Sequence, residues 1–321
     1  MSTCSTSSSS TAPPAPPPFH CSGKHKTRLL IGEGNFSFAL ALIRKHDTKA
    51  GHLSANSLGH SIVATELTPK IYCNQCAVDE MMGSVNISPS DATQQETLCT
   101  DCELTVQKIE TLRKLGVEVK LGVDGTKIHE MEAFRGKTFA RIHWNGPHDG
   151  SSYKVQTLPK ILEEFFKACR SMQHPKDRVH LALAQPATKE GFYQGAVYNI
   201  ARAASLSGYK LVKKRRFDHA RYPEYQHVQT KYHQKASVTE EGMREFVFEK
   251  VTDEELADAR EKAAATKNGQ EITVKALTDQ LEKLSSKRYV VQPNYYKDLK
   301  DPRNHYQCSS DDDSSDCEAP A

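Results

Sequence analysis

The stretch Leu29-Leu30-Ile31-Gly32-Glu33-Gly34-Asn35-Phe36-Ser37-Phe38-Ala39-Leu40 decides the fold of this chain. A short apolar run meets two glycines and is followed by apolar residues at helical spacing, which predicts a strand, a tight turn and a helix. Glycine allows a ligand to approach the main chain closely, and the first N–H groups of the helix are unpaired. We therefore expect a cofactor site here, although the third glycine of the dinucleotide fingerprint is absent and an ordinary turn would show the same pattern.

Composition sets the broad class. The chain has 321 residues, and its 43 Lys and Arg against 40 Asp and Glu give a net charge of only +3, which does not demand a polyanionic partner. No apolar run approaches the about 18 residues that span a membrane, and the N-terminus has no apolar signal segment, so we expect a soluble intracellular protein without a membrane partner. Nine cysteines without secretory features make disulfides an unfavoured interpretation.

The composition also divides the chain. Residues 1–25 are rich in Ser, Thr and Pro and predict a disordered leader. Residues 26–250 form the predicted domain, with a Cys-rich insertion at 70–104. Residues 251–321 predict a helical extension and an acidic disordered tail, to which we assign no chemistry.

Apolar runs alternate with helical stretches through the predicted domain. This alternation predicts an α/β fold with a mainly parallel sheet and helices on both faces. The predicted strands are 28–31, 61–65, 117–121, 139–144, 178–184, 209–217 and 244–250, and the predicted helices are 36–46, 103–115, 154–172 and 194–207.

Four consecutive strand ends carry informative residues, and ligands of such sheets bind beyond the carboxyl ends of the strands. After the glycine turn come Glu66, then Asp124, then Asn145-Gly146-Pro147-His148. A carboxylate at the position of Glu66 can accept hydrogen bonds from two ribose hydroxyls, which suits NAD or S-adenosylmethionine; a solvated strand-end charge is the alternative. Asp124 can accept from an adenine amino group or cap a helix.

The loop after the fourth strand resembles the Asn/Asp-Pro-Pro-aromatic loop of amino methyltransferases. In that loop the Asn amide holds the target nitrogen of a planar base and the following ring stacks on the base. Here Gly146 replaces the first proline and His148 replaces the aromatic ring. His148 can stack, hydrogen-bond or exchange a proton, or it is a loop histidine without a special role.

Together these motifs resemble the Rossmann-like 25S rRNA (uridine-N3) methyltransferase domain family, over about residues 27–235. The resemblance rests on the glycine turn, Ala64-Thr65, Gly122-Val123-Asp124-Gly125-Thr126, the Asn145 loop and Tyr222-Pro223-Glu224-Tyr225. It implies a class I methyltransferase fold and transfer of a methyl group from S-adenosylmethionine to N3 of a uridine in large-subunit rRNA, in the nucleolus or more broadly the nucleus, with the cytoplasm as the alternative. The implied cofactor-binding residues are Gly32, Glu33, Gly34, Asn35, Phe36, Ser37, Glu66, Asp124 and Thr126, and the implied catalytic residues are Asn145, Pro147 and His148.

The N3 position of uracil lies on its Watson–Crick edge, so the uridine has to be unpaired or flipped out. We expect Asn145 to hydrogen-bond a uracil carbonyl, and His148 to stack on the ring or receive the N3 proton through water.

The chain departs from the family pattern at two places. Thr68 stands where the family has an Asp, so Glu66 is a substitute, and Gly146 stands where Phe is usual. These departures keep open a module that binds S-adenosylmethionine or RNA without methyl transfer. A nicotinamide-dependent oxidoreductase is disfavoured by the missing third glycine.

Residues 209–235 combine basic and aromatic side chains, a composition suited to phosphates and unpaired bases of RNA. A surface strand pair with ordinary lysines is the alternative. The basic residues are Lys210, Lys213, Lys214, Arg215, Arg216, Arg221, Lys231 and Lys235, and the aromatic ones are Phe217, Tyr222, Tyr225 and Tyr232.

Two Cys-x-x-Cys pairs, Cys73 with Cys76 and Cys99 with Cys102, have the spacing of a tetrahedral zinc site. Such a zinc would be structural and would hold the insertion together. Reduced cysteines in a loop are the alternative.

Overall fold

The computed structural model describes seven parts of the chain, and all structural statements below refer to them. They are residues 26–49, 58–71, 99–147, 154–184, 200–228, 243–265 and 274–284. The Ser/Thr/Pro-rich leader, most of the Cys-rich insertion and the acidic tail lie outside these residues.

Seven strands and six α-helices alternate along the described residues. The strands are β1 (Arg28–Ile31), β2 (Ile62–Glu66), β3 (Glu118–Leu121), β4 (Arg141–Asn145), β5 (Arg178–Ala184), β6 (Tyr209–Arg216) and β7 (Met243–Lys250). The helices are α1 (Ser37–Lys49), α2 (Thr100–Lys114), α3 (Lys154–Ser171), α4 (Ile200–Leu206), α5 (Asp253–Ala265) and α6 (Val274–Lys283). All seven strands predicted from the sequence are confirmed, with ends within one or two residues.

The strands form one sheet in the order β3-β2-β1-β4-β5-β7-β6. Strands β1 to β5 are mutually parallel, whereas β7 is antiparallel to both β5 and β6. The chain order reverses between β1 and β4, because β2 and β3 lie on one side of β1 and β4 and β5 on the other. This reversal is the topological switch point at which ligands bind in open α/β sheets.

Two apolar cores cover the two faces of the sheet. On one face, α3 and α4 pack against the strands through residues such as Phe165, Phe166 and Ala203. On the other face, α1 and α2 pack through Leu42 and Leu112. The strands therefore need apolar residues on both faces, which explains their nearly continuous apolar runs.

The C-terminal helices α5 and α6 pack on the domain body. Helix α5 begins with a capping box, in which Glu255 N–H donates to Thr252 Oγ1 (3.1 Å) and Thr252 N–H donates to a Glu255 carboxylate oxygen (2.9 Å). Helix α6 contacts α4 and β6, and the hydroxyls of Thr278 and Ser205 lie 3.0 Å apart. The extension thus continues the fold of the domain.

Within the residues that the structure describes, none of the helices has the length and apolarity that crossing a lipid bilayer requires.

Candidate active site

The glycine turn and the end of β4 face each other across the switch point. Ile31, the last residue of β1, is in register with Trp144 of β4. A Cβ atom on Gly32 would lie 3.1 Å from Trp144 Nε1, so the indole packs directly against the turn. A small pocket opens beside this contact, and its lining comes from three parts of the chain: Gly32, Glu33, Phe38, Asn145, Tyr225, Gln226, His227 and Val228.

The turn itself has a strained backbone. Gly32 and Gly34 have φ angles of 61° and 63°, in the left-handed region that favours glycine. Phe36 also has a positive φ, 58°, although its side chain is fully buried. A bulky residue in this region costs on the order of 1–3 kcal/mol and is found where the surrounding structure or function requires it.

Glu66 lies beneath the turn. The Gly34 N–H donates to Glu66 Oε2 at 2.6 Å, and the side chain is fully buried. Burial raises the pKa of this carboxyl above its usual value, although N–H groups including that of Gly34 partly offset the shift. The sequence did not predict this contact, which fixes the turn to β2. The contact of Glu66 with ribose hydroxyls stays a prediction.

Glu33 is a second buried carboxyl at the turn and lines the pocket. Its Oε2 accepts a hydrogen bond from the Ala39 N–H (2.9 Å) in the first turn of α1. Burial, offset in part by the Ala39 N–H and reinforced by the nearby Glu66, raises the pKa of Glu33 to about 8. At neutral pH this carboxyl is therefore mostly protonated in the structure as it stands.

The loop after β3 reaches the same corner. Asp124 Oδ1 accepts from both the N–H (2.9 Å) and the hydroxyl (2.7 Å) of Thr126, so the loop is held by its own side chains. A Cβ atom on Gly125 would lie 2.6 Å from Ile31 Cγ2, so this loop packs tightly against the end of β1. Asp124 and Thr126 thus lie beside the glycine turn, at the edge where the sequence placed them.

Asn145 ends β4 and lines the pocket. Its Nδ2 atom is buried and has no hydrogen-bond partner within the described part of the chain. Gly146 follows with a φ of 69°, and Pro147 is buried. His148 lies outside the described residues, so its predicted role stays a prediction.

Residues 222–228 form the third wall of the pocket, and sequence reasoning missed the part that they play there. We call them the 222–228 segment. The Gln226 N–H donates to Ser37 Oγ (3.0 Å) while the Ser37 hydroxyl lies 3.1 Å from Gln226 O, which fixes the segment to the start of α1. A Cβ atom on Gly34 would lie 2.9 Å from Val228 Cγ2. The segment thus lies across the glycine turn.

Phe217 and Tyr222, two aromatic residues of the basic stretch, do not form the predicted stacking surface. Phe217 and Tyr222 are only 2% and 6% exposed, because both pack in the core beneath α1. Arg215 is paired with Glu245 of β7, and Lys210 lies 3.3 Å from a Glu249 carboxylate oxygen. The prediction of an aromatic RNA-binding surface is therefore wrong for these residues, since the sheet itself uses their rings and charges. Lys231, Tyr232 and Lys235 lie outside the described residues.

Only half of the predicted zinc site lies within the described residues. Cys99 directly precedes α2 and Cys102 is fully buried in its first turn, whereas Cys73 and Cys76 lie outside. Across the described ranges, no group of three or more His, Cys, Asp or Glu side chains is arranged to hold a metal ion. The zinc site stays a prediction.

The residues at the switch point fit S-adenosylmethionine. The turn at Gly32 and Gly34 lets a ligand approach the backbone, and Asn145 offers an unsatisfied amide. Because Val228 Cγ2 lies close to Gly34, a ligand at this turn also requires the Val228 side chain to move aside.

This sheet order, with an antiparallel β7 between β5 and β6, defines a Rossmann-like class I methyltransferase fold, and the fold class predicted from the sequence is confirmed. The model of the BMT5-like family, described as "rRNA (uridine-N3-)-methyltransferase BTM5-like", matches residues 76–229. The chain is therefore similar to that family over these residues, and the resemblance predicted from the motifs is confirmed over them. The glycine turn precedes the matched residues.

The chain is also similar in part to proteins of known sequence and of known structure. A mouse protein, the ferredoxin-fold anticodon-binding domain-containing protein 1 homolog, is 26% identical over 57% of this chain. The match spans 24% of the mouse protein, so the chain corresponds to about a quarter of it. An uncharacterised Arabidopsis thaliana protein is 25% identical over 64% of this chain and 82% of its own length. The crystal structure of TrmN from Thermus thermophilus covers 71% of this chain and 44% of its own, with 14% identity and a TM-score of 0.38.

Proposed function

We propose that this chain is an S-adenosylmethionine-dependent methyltransferase that acts on RNA, at N3 of a uridine in large-subunit rRNA. One observation carries the proposal: within a methyltransferase sheet, the glycine turn and Asn145 line one pocket at the switch point. The family matched by residues 76–229 supports the RNA substrate and the uridine N3 position.

Different residues of this chain hold the glycine turn and contact the acceptor base. Glu66 holds the turn through Gly34, and Glu33 holds the first turn of α1 through the Ala39 N–H. S-adenosylmethionine, when bound, supplies an electrophilic methyl group on its sulfonium. Asn145, with its Nδ2 atom unpartnered in the described part of the chain, can donate a hydrogen bond to a carbonyl of the acceptor base. A flipped or unpaired base is required, because N3 is otherwise paired.

Loss of a methylated uridine is the direct test of this function. Mass spectrometry of rRNA from cells lacking the protein is expected to show one missing N3-methyluridine. The purified protein is expected to transfer a labelled methyl group to rRNA in vitro, whereas Asn145→Ala binds S-adenosylmethionine normally and transfers none. Unchanged rRNA together with an inactive purified protein would overturn the proposal.

A second candidate is a module that binds the cofactor without transferring the methyl group. The departures from the family pattern favour it: Glu66 stands in for the usual Asp, and Gly146 replaces the usual Phe beside the acceptor position. Calorimetry that detects S-adenosylmethionine binding, combined with no turnover on total RNA, would support this candidate over the enzyme.

The zinc site and the nucleolar location complete the proposal. We propose that Cys73, Cys76, Cys99 and Cys102 bind one structural zinc; metal analysis is expected to give about one zinc per chain, and Cys73→Ser to lose it. Cys169→Ala serves as control, since Cys169 is fully buried in the core. Zinc contents equal in both variants would contradict the site.

A substrate in the large-subunit rRNA supports a nucleolar location, which imaging of the tagged chain tests.

A further inference from the structure

His227 occupies the space that a side chain at position 146 would fill. A Cβ atom on Gly146 would lie 2.4 Å from His227 Cε1 and 3.0 Å from its Nε2. The imidazole therefore packs on the loop of Asn145, and both residues line the same pocket. Gly146 has no side chain beside the acceptor position, but the imidazole of His227, 81 residues further along the chain, occupies that space.

The 222–228 segment is held firmly enough to fix this ring. Glu224 is paired with Arg44 of α1, and Lys45 Nζ lies 4.6 Å from the centre of the Tyr222 ring. The ring centres of Phe38 and Tyr225 lie 5.4 Å apart in an edge-to-face contact. Together with the Ser37 contacts, these interactions join the segment to α1, the helix that follows the glycine turn.

A tyrosine sets the proton position on the imidazole. Tyr225 Oη lies 2.9 Å from His227 Nδ1. Burial raises the pKa of the Tyr225 hydroxyl above its usual value, so this hydroxyl keeps its proton and is able to donate a hydrogen bond to Nδ1. With Nδ1 as the acceptor, the proton of the neutral imidazole resides on Nε2, the nitrogen on the side of Gly146.

The imidazole is neutral at physiological pH. Burial and, to a smaller extent, the nearby His219 together lower the pKa of His227 to about 4. The other titratable groups that line this pocket or touch the ring are Glu33 and Tyr225. A neutral imidazole with a fixed Nε2–H is a directional donor and carries no charge into the site.

We propose that His227, held by Tyr225, is a specificity-determining residue that donates a hydrogen bond from Nε2–H to the C4 carbonyl oxygen of the methyl-acceptor uracil. This inference rests on the proposed function and deepens it. Uracil and cytosine share the C2 carbonyl oxygen, but uracil has a second carbonyl oxygen at C4 where cytosine has an amino group, and adenine has an amino group at C6. A donor that faces the C4 oxygen therefore accepts uracil and rejects the other two, because a donor facing an amino group leaves both unpaired.

The test compares oligonucleotides that differ only in the target base, uridine or cytidine, in binding and in methylation. Wild type is expected to bind the uridine RNA about 10- to 100-fold more tightly in the presence of S-adenosylhomocysteine. His227→Ala is expected to lose this preference while its affinity for S-adenosylhomocysteine is unchanged. His227→Gln, whose amide keeps a donor, is expected to retain part of the preference, and Tyr225→Phe to lower it.

His174→Ala is the matched control, because His174 is exposed at the amino end of β5. A His227→Ala variant that keeps both its fold, seen by circular dichroism, and the full uridine preference overturns the proposal. Wild type without any base preference overturns it as well. Wild type that prefers uridine in binding but transfers no methyl group overturns the proposed function and leaves the role of His227 supported.

Discussion

Single residues at the switch point have structural tasks that their types alone do not reveal. Glu66 and Glu33 are both acids beside the glycine turn, and each accepts a hydrogen bond from a backbone N–H. Glu66 accepts from Gly34, and Glu33 accepts from Ala39. Gly146 is a glycine for two reasons, its positive φ and the imidazole that fills its side-chain space. These contacts join residues that are distant in sequence, and they link the stability of the turn to the chemistry of the pocket.

Gly146→Ala separates the two reasons. A positive φ costs an alanine about 1–2 kcal/mol, and the clash with His227 adds to that cost. We expect urea denaturation to show a larger loss of stability than in Gly136→Ala, where φ is 73° and no atom lies within 4 Å of the added Cβ. Equal losses in the two variants would show that the imidazole moves aside freely. The Gly146→Ala variant is also expected to lose the preference for uridine.

Glu33 makes stability depend on pH. The folded pKa of about 8 lies above the unfolded value near 4.5, so the folded state holds the proton more tightly. The stabilising effect of that proton is complete below pH 4.5 and is lost as the pH rises towards 8. We expect the melting temperature of wild type to fall between pH 6 and pH 8.5 by more than that of Glu33→Gln, whose amide oxygen still accepts from Ala39.

Differential scanning fluorimetry across this pH range measures the effect. Glu164→Gln provides the control, because Glu164 is exposed on α3. Parallel pH profiles for wild type and Glu33→Gln would contradict the elevated pKa.

At the scale of elements, strand β7 explains what happens to the basic stretch. Its Glu245 lies between His180 of β5, at 2.9 Å, and Arg215 of β6, and Glu249 contacts Arg178 and Lys210. Two cations of the predicted RNA-binding stretch, Lys210 and Arg215, are thus paired with acids of the neighbouring strand. The pattern of charges could be read from the sequence, but the pairing required the antiparallel register of β7.

Glu245→Gln is expected to destabilise the sheet strongly. Removing one partner of a buried ion pair leaves an uncompensated charge and costs about 3–5 kcal/mol. Glu163→Gln removes an exposed partner of Arg202 and is expected to cost less than about 1 kcal/mol. Chemical denaturation of both variants measures the difference. Comparable small costs would mean that Arg215 finds another partner.

At the scale of the whole molecule, the C-terminal helices belong to the packed body. The pair α5 and α6 has its own apolar cluster, including Leu256, Leu277 and Leu281, and α6 contacts α4. A Cβ atom on Gly208 would lie 2.8 Å from Leu256 Cδ2, so the turn before β6 is covered closely by α5. Because the exposed faces of α5 and α6 are charged, the sequence alone did not predict that these helices pack on the domain.

Truncation tests this packing. A chain ending at Lys250 exposes the surfaces of α4 and β6 that α5 and α6 cover, so we expect a lower melting temperature and aggregation. A chain ending at residue 285 keeps both helices and loses residues 286–321, so we expect the melting temperature of the full chain. If the shorter chain melted at the same temperature, the helices would contribute nothing to the stability of the domain.

The sequence by itself determined the alternation of strands and helices, because apolar periodicity is a local property that follows from burial on two faces. It also determined the glycine turn and the strand-end positions of Asp124 and Asn145, since the carboxyl ends of parallel strands meet at one edge. Only the tertiary structure decided that Glu66 binds the turn, that Phe217 and Tyr222 are core residues, and that His227 packs against Gly146. These contacts join residues about 30 to 190 positions apart, and no local pattern encodes which distant backbone or ring will fill a given space.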